Sequence, residues 1–210
     1  MMREDLREDL TSTGTPAGAS RMPAAESGRP TAEVPADALI ILPTRNFVLF
    51  PGIVFPLSIG RPASIAAAQE AVRLQRQVGV VLQRDSEQND PAPIDLHRIG
   101  TVANIARYVT APDGAHHLIC QGVQRFRVVE YLNGWPFFVA RVERIEEVEG
   151  QQVTDKQIEA RFVNLRRQAL EALALLPGVP QELIGTIQSV SSPSQLADLV
   201  AGYMDLKPNE

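Results

Sequence analysis

The sequence predicts an α+β protein: an antiparallel-rich β-domain, closed or half-closed, with one helix packed on it, followed by an antiparallel bundle of three helices. Three observations predict it. Between about residues 99 and 143 apolar and polar side chains alternate with a period of two. From about residue 154 the apolar period lengthens to 3.6. Between them in character stands residues 39–61, LIILPTRNFVLFPGIVFPLSIGR, the most apolar stretch of the chain, cut by Pro43, Pro51 and Pro56. Three prolines exclude one long helix and a central, fully bonded strand, so this stretch is expected to form the edge and seam of the β-domain. The chain divides accordingly into a disordered arm (1–36), a β-rich unit (37–148) and a helical unit (149–210).

Residues 1–36 are rich in Thr, Ala, Gly, Ser and Pro and lack an apolar period, so they bury too little surface to offset the entropy of ordering. Within the organising stretch, Pro51-Gly52 suits a tight turn between two runs, 47–50 and 53–57, whose β-branched and aromatic content reads as extended. Ser64 is placed to cap a helix over 65–77, with Ile65, Ala68 and Val72 on its inner face beside Ala67, Ala71 and Leu74. Residues 79–82 form a short buried strand, and Asn89-Asp90-Pro91-Ala92-Pro93 an exposed loop. A strand over 99–109, a turn at Pro112-Asp113-Gly114 and a return over 117–120 make a hairpin. Gly122 marks a turn or bulge before a strand over 125–131, where Phe126 and Val128 oppose Arg125 and Arg127. Asn133-Gly134 is a second turn before a last strand carrying Phe138, Ala140 and Val142. Thr154-Asp155-Lys156-Gln157 then reads as a capping box opening a helix with Ile158, Phe162, Leu165, Ala169, Ala172 and Leu176 inside, stopped by Pro177-Gly178. A second helix over 180–190 turns Leu183, Ile184 and Ile187 inward. Ser192-Pro193 caps a third, with Leu196, Leu199, Val200 and Tyr203 inside. The chain stops with little to cover the last face of this bundle, which points to a piece of something longer.

Of the 210 residues 44 % are hydrophobic and 21 % charged, a soluble globular composition with room for one domain or two small ones. A net charge of −5 disfavours nucleic-acid binding by bulk electrostatics. The single cysteine, Cys120, excludes an intrachain disulfide and a cysteine-rich zinc module. The charged start 1–10 has no apolar core for a secretory signal, so the cytoplasm is the expected compartment. The only lysines, Lys156 and Lys207, lie outside apolar stretches, which argues against a desolvated catalytic lysine. His116, His117 and Cys120 do not make a metal site, because alternation brings only two of them to one face. Arg125, Arg127, Arg141 and Arg144 fall on neighbouring strands among Glu130, Glu143, Glu146 and Glu147, so cross-strand ion pairs are expected rather than an RNA-binding strip.

Several short motifs, in order and over residues 38 to the end, carry a resemblance. They are Leu42-Pro43-x-Arg45-Asn46, Phe50-Pro51, Pro56-Leu57, Gly60-Arg61, Gln83-Arg84-Asp85, Asp95-Leu96, Ile99-Gly100-Thr101-Val102-Ala103, Pro112-Asp113-Gly114, Gly122 with Arg125, and Leu196-Ala197-Asp198. Together they resemble the N-terminal domain of the bacterial ATP-dependent Lon protease. Gln121 departs from the family's usual Glu before the glycine, and the Ala/Pro arm has no counterpart. The resemblance implies a PUA-like half-barrel followed by a helical bundle, a part that selects unfolded or tagged proteins and helps hold a hexamer of subunits. The ATPase and the Ser–Lys protease dyad of that family lie downstream. This chain has no G-x-x-x-x-G-K-[ST] run and no credible Ser–Lys pair, so it is expected to bind and not to cut, with no cofactor and no metal. Gly60-Arg61 favours a full protease as its parent over a free-standing regulatory or adaptor protein with the same domain. A PUA-like RNA-binding module is a further alternative.

Phe47, Phe50, Pro51, Ile53 and Phe55 cannot all face inward on alternating strands, so some are expected to form an exposed apolar patch, joined by Tyr108 and Val109 at the nearby hairpin. This patch is the candidate contact for exposed hydrophobic segments of damaged proteins, weak per copy and strengthened by several copies. No membrane contact is expected.

Overall fold

A computed structural model describes residues 33–146, 156–175 and 181–204, with side chains from 183 in the last segment. The order of elements is β1 (Ala38–Thr44), β2 (Val54–Ile59), α1 (Pro62–Arg73), β3 (Val78–Leu82), β4 (Ile99–Thr110), β5 (His116–Leu132), β6 (Phe138–Arg144), α2 (Lys156–Leu175), α3 (Gln181–Ser189) and α4 (Pro193–Tyr203). The protein is α+β, and its six strands form one mostly antiparallel sheet in the order β2-β5-β4-β3-β1-β6. The exception is the parallel pair β1–β3, which α1 makes possible by carrying the chain back across the sheet.

β5 closes the structure. It runs beside β4 along its whole length, while its other edge pairs first with β2 (Val54↔Gln121 to Ile59↔His116) and then with β6 (Phe126↔Arg144 to Leu132↔Val139). β6 also pairs with β1, so β1, β3, β4, β5 and β6 form a ring with β2 as its free edge. Pro56 is tolerated there because an edge strand bonds on one side only. The return strand expected over 117–120 and the strand over 125–131 are one strand of 17 residues. Gly122 does not end it: the mismatch is absorbed as a register shift opposite Val102/Ala103.

The interior has two parts. One, inside the ring, is built on Phe126 with Ile41, Val81, Val102 and Ala140. Gly79 and Gly100 leave room for the Phe126 ring, since a Cβ on either would lie 2.7 or 2.8 Å from its Cζ. The other lies between the sheet and α1 and joins Ile40, Leu42, Val78, Leu118 and Cys120 to Ala67, Ala68 and Ala71. The alanines let the helix sit close. Its limits differ from the expected 65–77. Pro62 opens it, because a preset φ and a missing N–H cost nothing at the first helical position, and Arg61 takes the flanking extended place. Ser64 is therefore inside the first turn, buried, and not the cap. The buried positions become 64, 67, 68 and 71, and Val72 is left exposed. Gln75 in left-handed geometry (φ 53°) ends the helix early. Arg76 follows at once, donating to the carbonyls of Val34, Pro35, Ala36 and Ala38 and tying the start of β1 to the end of α1.

Residues 47–50 are not a strand. They belong to a loop held by side chains: Thr44 Oγ1 donates to Phe47 O (2.6 Å) and Thr101 Oγ1 to Leu49 O (2.5 Å). The Pro51-Gly52 turn forms as expected, with Gly52 at φ +77° and Ile53 N donating to Phe50 O at 3.2 Å.

α2 packs against α3 and α4. Phe162, Leu165 and Ala169 are only half-buried, Ile158 and Ala172 are exposed, and Leu176 falls outside the described residues, as do Thr154, Asp155 and Pro177-Gly178. Ile187 and Leu196 are buried as expected, with Leu183, Ile184, Leu199 and Val200 half-buried, but Tyr203 is 67 % exposed. It is the last residue of α4, next to Gly202, which faces Ile53 and Phe50. Ser192 flanks α4 but makes no capping bond, its hydroxyl lying 3.0 Å from that of Ser194. Of the arm expected over 1–36, residues 1–32 lie outside the described residues, as does the junction 147–155, while 33–36 belong to the fold, with Val34 buried in the core and Arg76 bonded to Val34, Pro35 and Ala36.

Candidate functional site

Two grooves that share lining residues form a trough. The larger, about 740 Å³, is lined by the start of α1, the loop at 89–93 and the β5–β6 hairpin, with Tyr131, Trp135, Pro136 and Phe138 on its walls. The second, about 540 Å³, lies between the end of β1 and β2 and is walled by Phe47, Phe55, Leu57 and Ile59. Pro43, Arg61 and Ser64 line both, so the two meet at the N-terminus of α1. Each half has an aromatic anchor. Phe47 and Phe55 stack with ring centroids 3.7 Å apart, and Tyr131 meets Phe138 edge-on at 5.9 Å. All four are half-buried, resting on the interior while presenting one face outward. Tyr131 keeps its hydroxyl buried without a hydrogen-bond partner, and burial pushes its pKa up to about 12.

Local chemistry fixes the walls. The hairpin turns at Asn133-Gly134, with Gly134 at φ +117°, which places Trp135-Pro136 at its tip. The loop opposite is held from within by Gln83, 1 % exposed, whose amide donates to the carbonyls of Asp85 and Gln88. Arg61 donates to Gln83 Oε1 (2.6 Å) and Gln88 O (3.3 Å), and Arg45 to Asn89 Oδ1 (2.7 Å). Asp95 accepts from Gln88 Nε2 and Ala92 N, both at 2.8 Å. The motifs Gly60-Arg61 and Gln83-Arg84-Asp85 thus meet at one place and build one wall.

The seven residues singled out in the sequence do not form one patch. Phe47 and Phe55 lie in the trough. Phe50 and Ile53 face α4, where a Cβ on Gly202 would lie 3.3 Å from Ile53 and 3.8 Å from Phe50. Pro51 and Ile53 line a crevice of about 480 Å³ shared with Thr186, Val190, Gln195 and Leu199 of the helical part. Tyr108 sits against α1, its hydroxyl 2.7 Å from His116 Nδ1 and 3.4 Å from Gln69 Nε2, and Val109 is exposed on the hairpin. Trp135, Tyr131 and Phe138 were missed. The one signal for them was the chain's only tryptophan in a Trp-Pro-Phe-Phe run just past a turn.

The charged strands are mostly paired. Arg141 lies between Asp37 and Glu130, Arg144 donates to Gln77 Oε1 at 2.8 Å, and Arg125 pairs with Asp198 of α4. The last partner crosses from the helical part, which a strand-only reading does not supply. Ser58 Oγ and His117 Nδ1 are 3.0 Å apart on a cross-strand pair, but both are exposed, and no carboxylate orients the imidazole among the described residues. Among those residues there is also no group of three or more potential metal ligands, and no helix long and apolar enough to cross a membrane.

Residues 38–210 match the family model for the ATP-dependent protease La (LON) substrate-binding domain. The chain is 54 % identical over 192 residues to a Lon protease of Methylocella silvestris, covering 91 % of this chain and 23 % of that one. It is 53 % identical over 178 residues to a Lon protease of Phenylobacterium zucineum, covering 84 % and 22 %. The chain therefore spans less than a quarter of the length of these relatives. In fold it is similar to the N-terminal domain of a Mycobacterium avium complex Lon protease (TM-score 0.61, 21 % identity, 79 % of this chain and 82 % of that one). A Lon N-terminal domain protein from Xanthomonas campestris gives a TM-score of 0.50 at 19 % identity, over 80 % and 98 %. The matched part is the substrate-binding and not the catalytic part of such proteases, and the chain belongs to the Lon substrate-binding domain family.

Proposed function

We propose that this chain is the non-catalytic client-recognition end of an ATP-dependent Lon-type protease, and that it grips extended apolar segments of unfolded or tagged proteins in the trough. The observation that carries this reading is the trough itself: two aromatic-walled grooves, joined end to end and open to solvent. A folded protein hides its aromatic and branched side chains, whereas an unfolded one offers them on an extended backbone that lies along such a channel. Affinity per copy is modest, and several copies in an assembly of subunits raise it by effective concentration. The same reading takes the ring of strands as a PUA-like half-barrel and the helical part as the seat of subunit assembly.

The test is fluorescence anisotropy of a permanently unfolded protein, reduced and carboxymethylated α-lactalbumin, against the native form of the same protein. Binding of the unfolded form alone, weakened at least about fivefold by Trp135→Ala or Pro136→Asp with no change in melting beyond about 1 kcal/mol, supports the proposal. Equal binding of both forms, or full binding by both variants, overturns it. Two of the four arginines on these strands, Arg141 and Arg125, are already paired with carboxylates, and the chain carries a net charge of −5, which favours protein over RNA as the client.

A further inference from the structure

The waist of the trough carries a charge opposite in sign to the chain as a whole. Net charge is −5, yet the charged residues lining the two grooves are Arg45, Arg61 and Asp90, two cations against one anion. The two guanidinium groups are near enough to repel each other, and their hydrogen-bond partners, Asn89 and Gln88, are consecutive in one loop. Those partners are neutral, an amide oxygen for Arg45 and an amide oxygen and a carbonyl for Arg61. The arrangement costs something: burial, and then the neighbouring Arg45, lower the Arg61 pKa, and Asp90 only partly opposes them. A second carboxylate at this point would relieve the repulsion, and neither groove's walls supply one. Apolar walls lie on both sides, Phe47 and Phe55 in one direction, Trp135 and Phe138 in the other.

We infer that the trough selects client segments in which an acidic side chain stands between apolar or aromatic residues, the carboxylate lying against Arg45 and Arg61 and its neighbours filling the two aromatic grooves. The inference rests on the proposal that the trough holds clients, and adds the chemistry by which it chooses among them. The carboxylate is that of an internal Asp or Glu and not of a chain end, because the grooves continue past the arginines in both directions and an extended chain runs through. A lysine at the same place meets two like charges, so the waist rejects as well as attracts. Selection of this kind keeps purely hydrophobic core segments from being the only ligands, and it makes retention depend on ionic strength.

The experiment uses three fluorescein-labelled, N-acetylated and C-terminally amidated peptides, identical except for a central Asp, Asn or Lys flanked on each side by Leu and Phe. In 50 mM salt the Asp peptide binds about threefold tighter than the Asn peptide and about tenfold tighter than the Lys peptide, and the spread narrows in 500 mM salt. Arg45 is exposed, and a glutamine in its place keeps an amide donor for Asn89 Oδ1, so Arg45→Gln folds as the parent does. It brings the Asp/Lys ratio down to about threefold or less while changing Asn-peptide affinity by less than about twofold. Equal binding of the three peptides, or an unchanged ratio in Arg45→Gln, overturns this inference and leaves the gripping role standing. Failure of all three to bind overturns both.

Discussion

Gly122 is the position at which one methyl group tests the architecture of the site. It sits in β5 where that strand's free edge passes from β2 to β6, and the Phe50–Gly52 turn is seated in the gap. Gly52 N donates to Gly122 O at 3.0 Å, and Gly122 N donates to Ile53 O at 2.9 Å. In Gly122→Ala the new Cβ would lie 2.2 Å from Phe50 O, 2.9 Å from Phe50 C and 3.3 Å from Leu49 Cγ. An ordinary carbon–oxygen contact is about 3.3 Å, so the turn must withdraw by about 1 Å. The atoms in the way are backbone, which no rotamer change clears. Withdrawal breaks both hydrogen bonds, each contributing about 1 kcal/mol, and disturbs buried Leu49, giving a loss of about 2–4 kcal/mol. For a domain of this size that lowers the melting midpoint by roughly 5–15 °C. Calorimetry beside Gly60→Ala is the assay, since a Cβ on Gly60 meets nothing within 4 Å and that variant melts within about 0.5 kcal/mol of the parent. If Gly122→Ala melts with the parent, the turn is not seated on β5 and the account of the organising loop is wrong.

Four further outcomes follow from particular contacts. Tyr131→Phe removes a buried hydroxyl that has no partner, so it raises stability by about 1 kcal/mol in urea titration, and a loss of that size would show that the hydroxyl is bonded. Asp198→Ala removes the carboxylate that meets Arg125 at the contact between β5 and α4, costing about 2–4 kcal/mol and speeding amide exchange over 193–204; Arg125→Met with Asp198→Leu recovers part of it. Arg76→Met frees four carbonyls at the entry to β1 and costs about 2–3 kcal/mol, seen as lost exchange protection of the Ala38 amide, which donates to Pro35 O. Burial pushes the Cys120 thiol up to about 11 from 9.0, so it resists iodoacetamide at pH 8 until the protein is unfolded. The folded pKa is the higher, so the stabilisation is complete below pH 9 and is lost as pH rises towards 11; a melting midpoint flat across that interval would contradict the burial.

The local rules of chain folding were legible in the sequence, and the joins between distant pieces were not. Pro51-Gly52, Pro112-Asp113-Gly114 and Asn133-Gly134 announced their turns, and alternation from Ile99 placed the strands. β5 was divided wrongly because a glycine inside a strand looks the same whether it ends the strand or admits a neighbour's backbone, and here Phe50 fills the space a side chain would take. The first turn of α1 was misjudged because Ser64 offers a cap while Pro62, two residues earlier, already fixes the start. The trough was half legible. Phe47 and Phe55 stood out as surplus aromatics, but Trp135 and Tyr131 join them only through ring closure by β5 and β6. Arg45 and Arg61 meet because a loop some 25 to 45 residues further on supplies the acceptors for both. Phe50 and Ile53 were read as surface because the Gly202 end of α4, which packs on them, lies about 150 residues downstream.

Trp135 is the only tryptophan in the chain and stands in the wall of the larger groove, so its fluorescence reports on that groove alone. Titrating the protein with a tryptophan-free peptide carrying apolar residues around a central aspartate is predicted to give a saturable blue shift of the emission, absent in Pro136→Asp. Saturable binding of the same peptide by anisotropy with no change in that emission would place the client elsewhere and contradict the account.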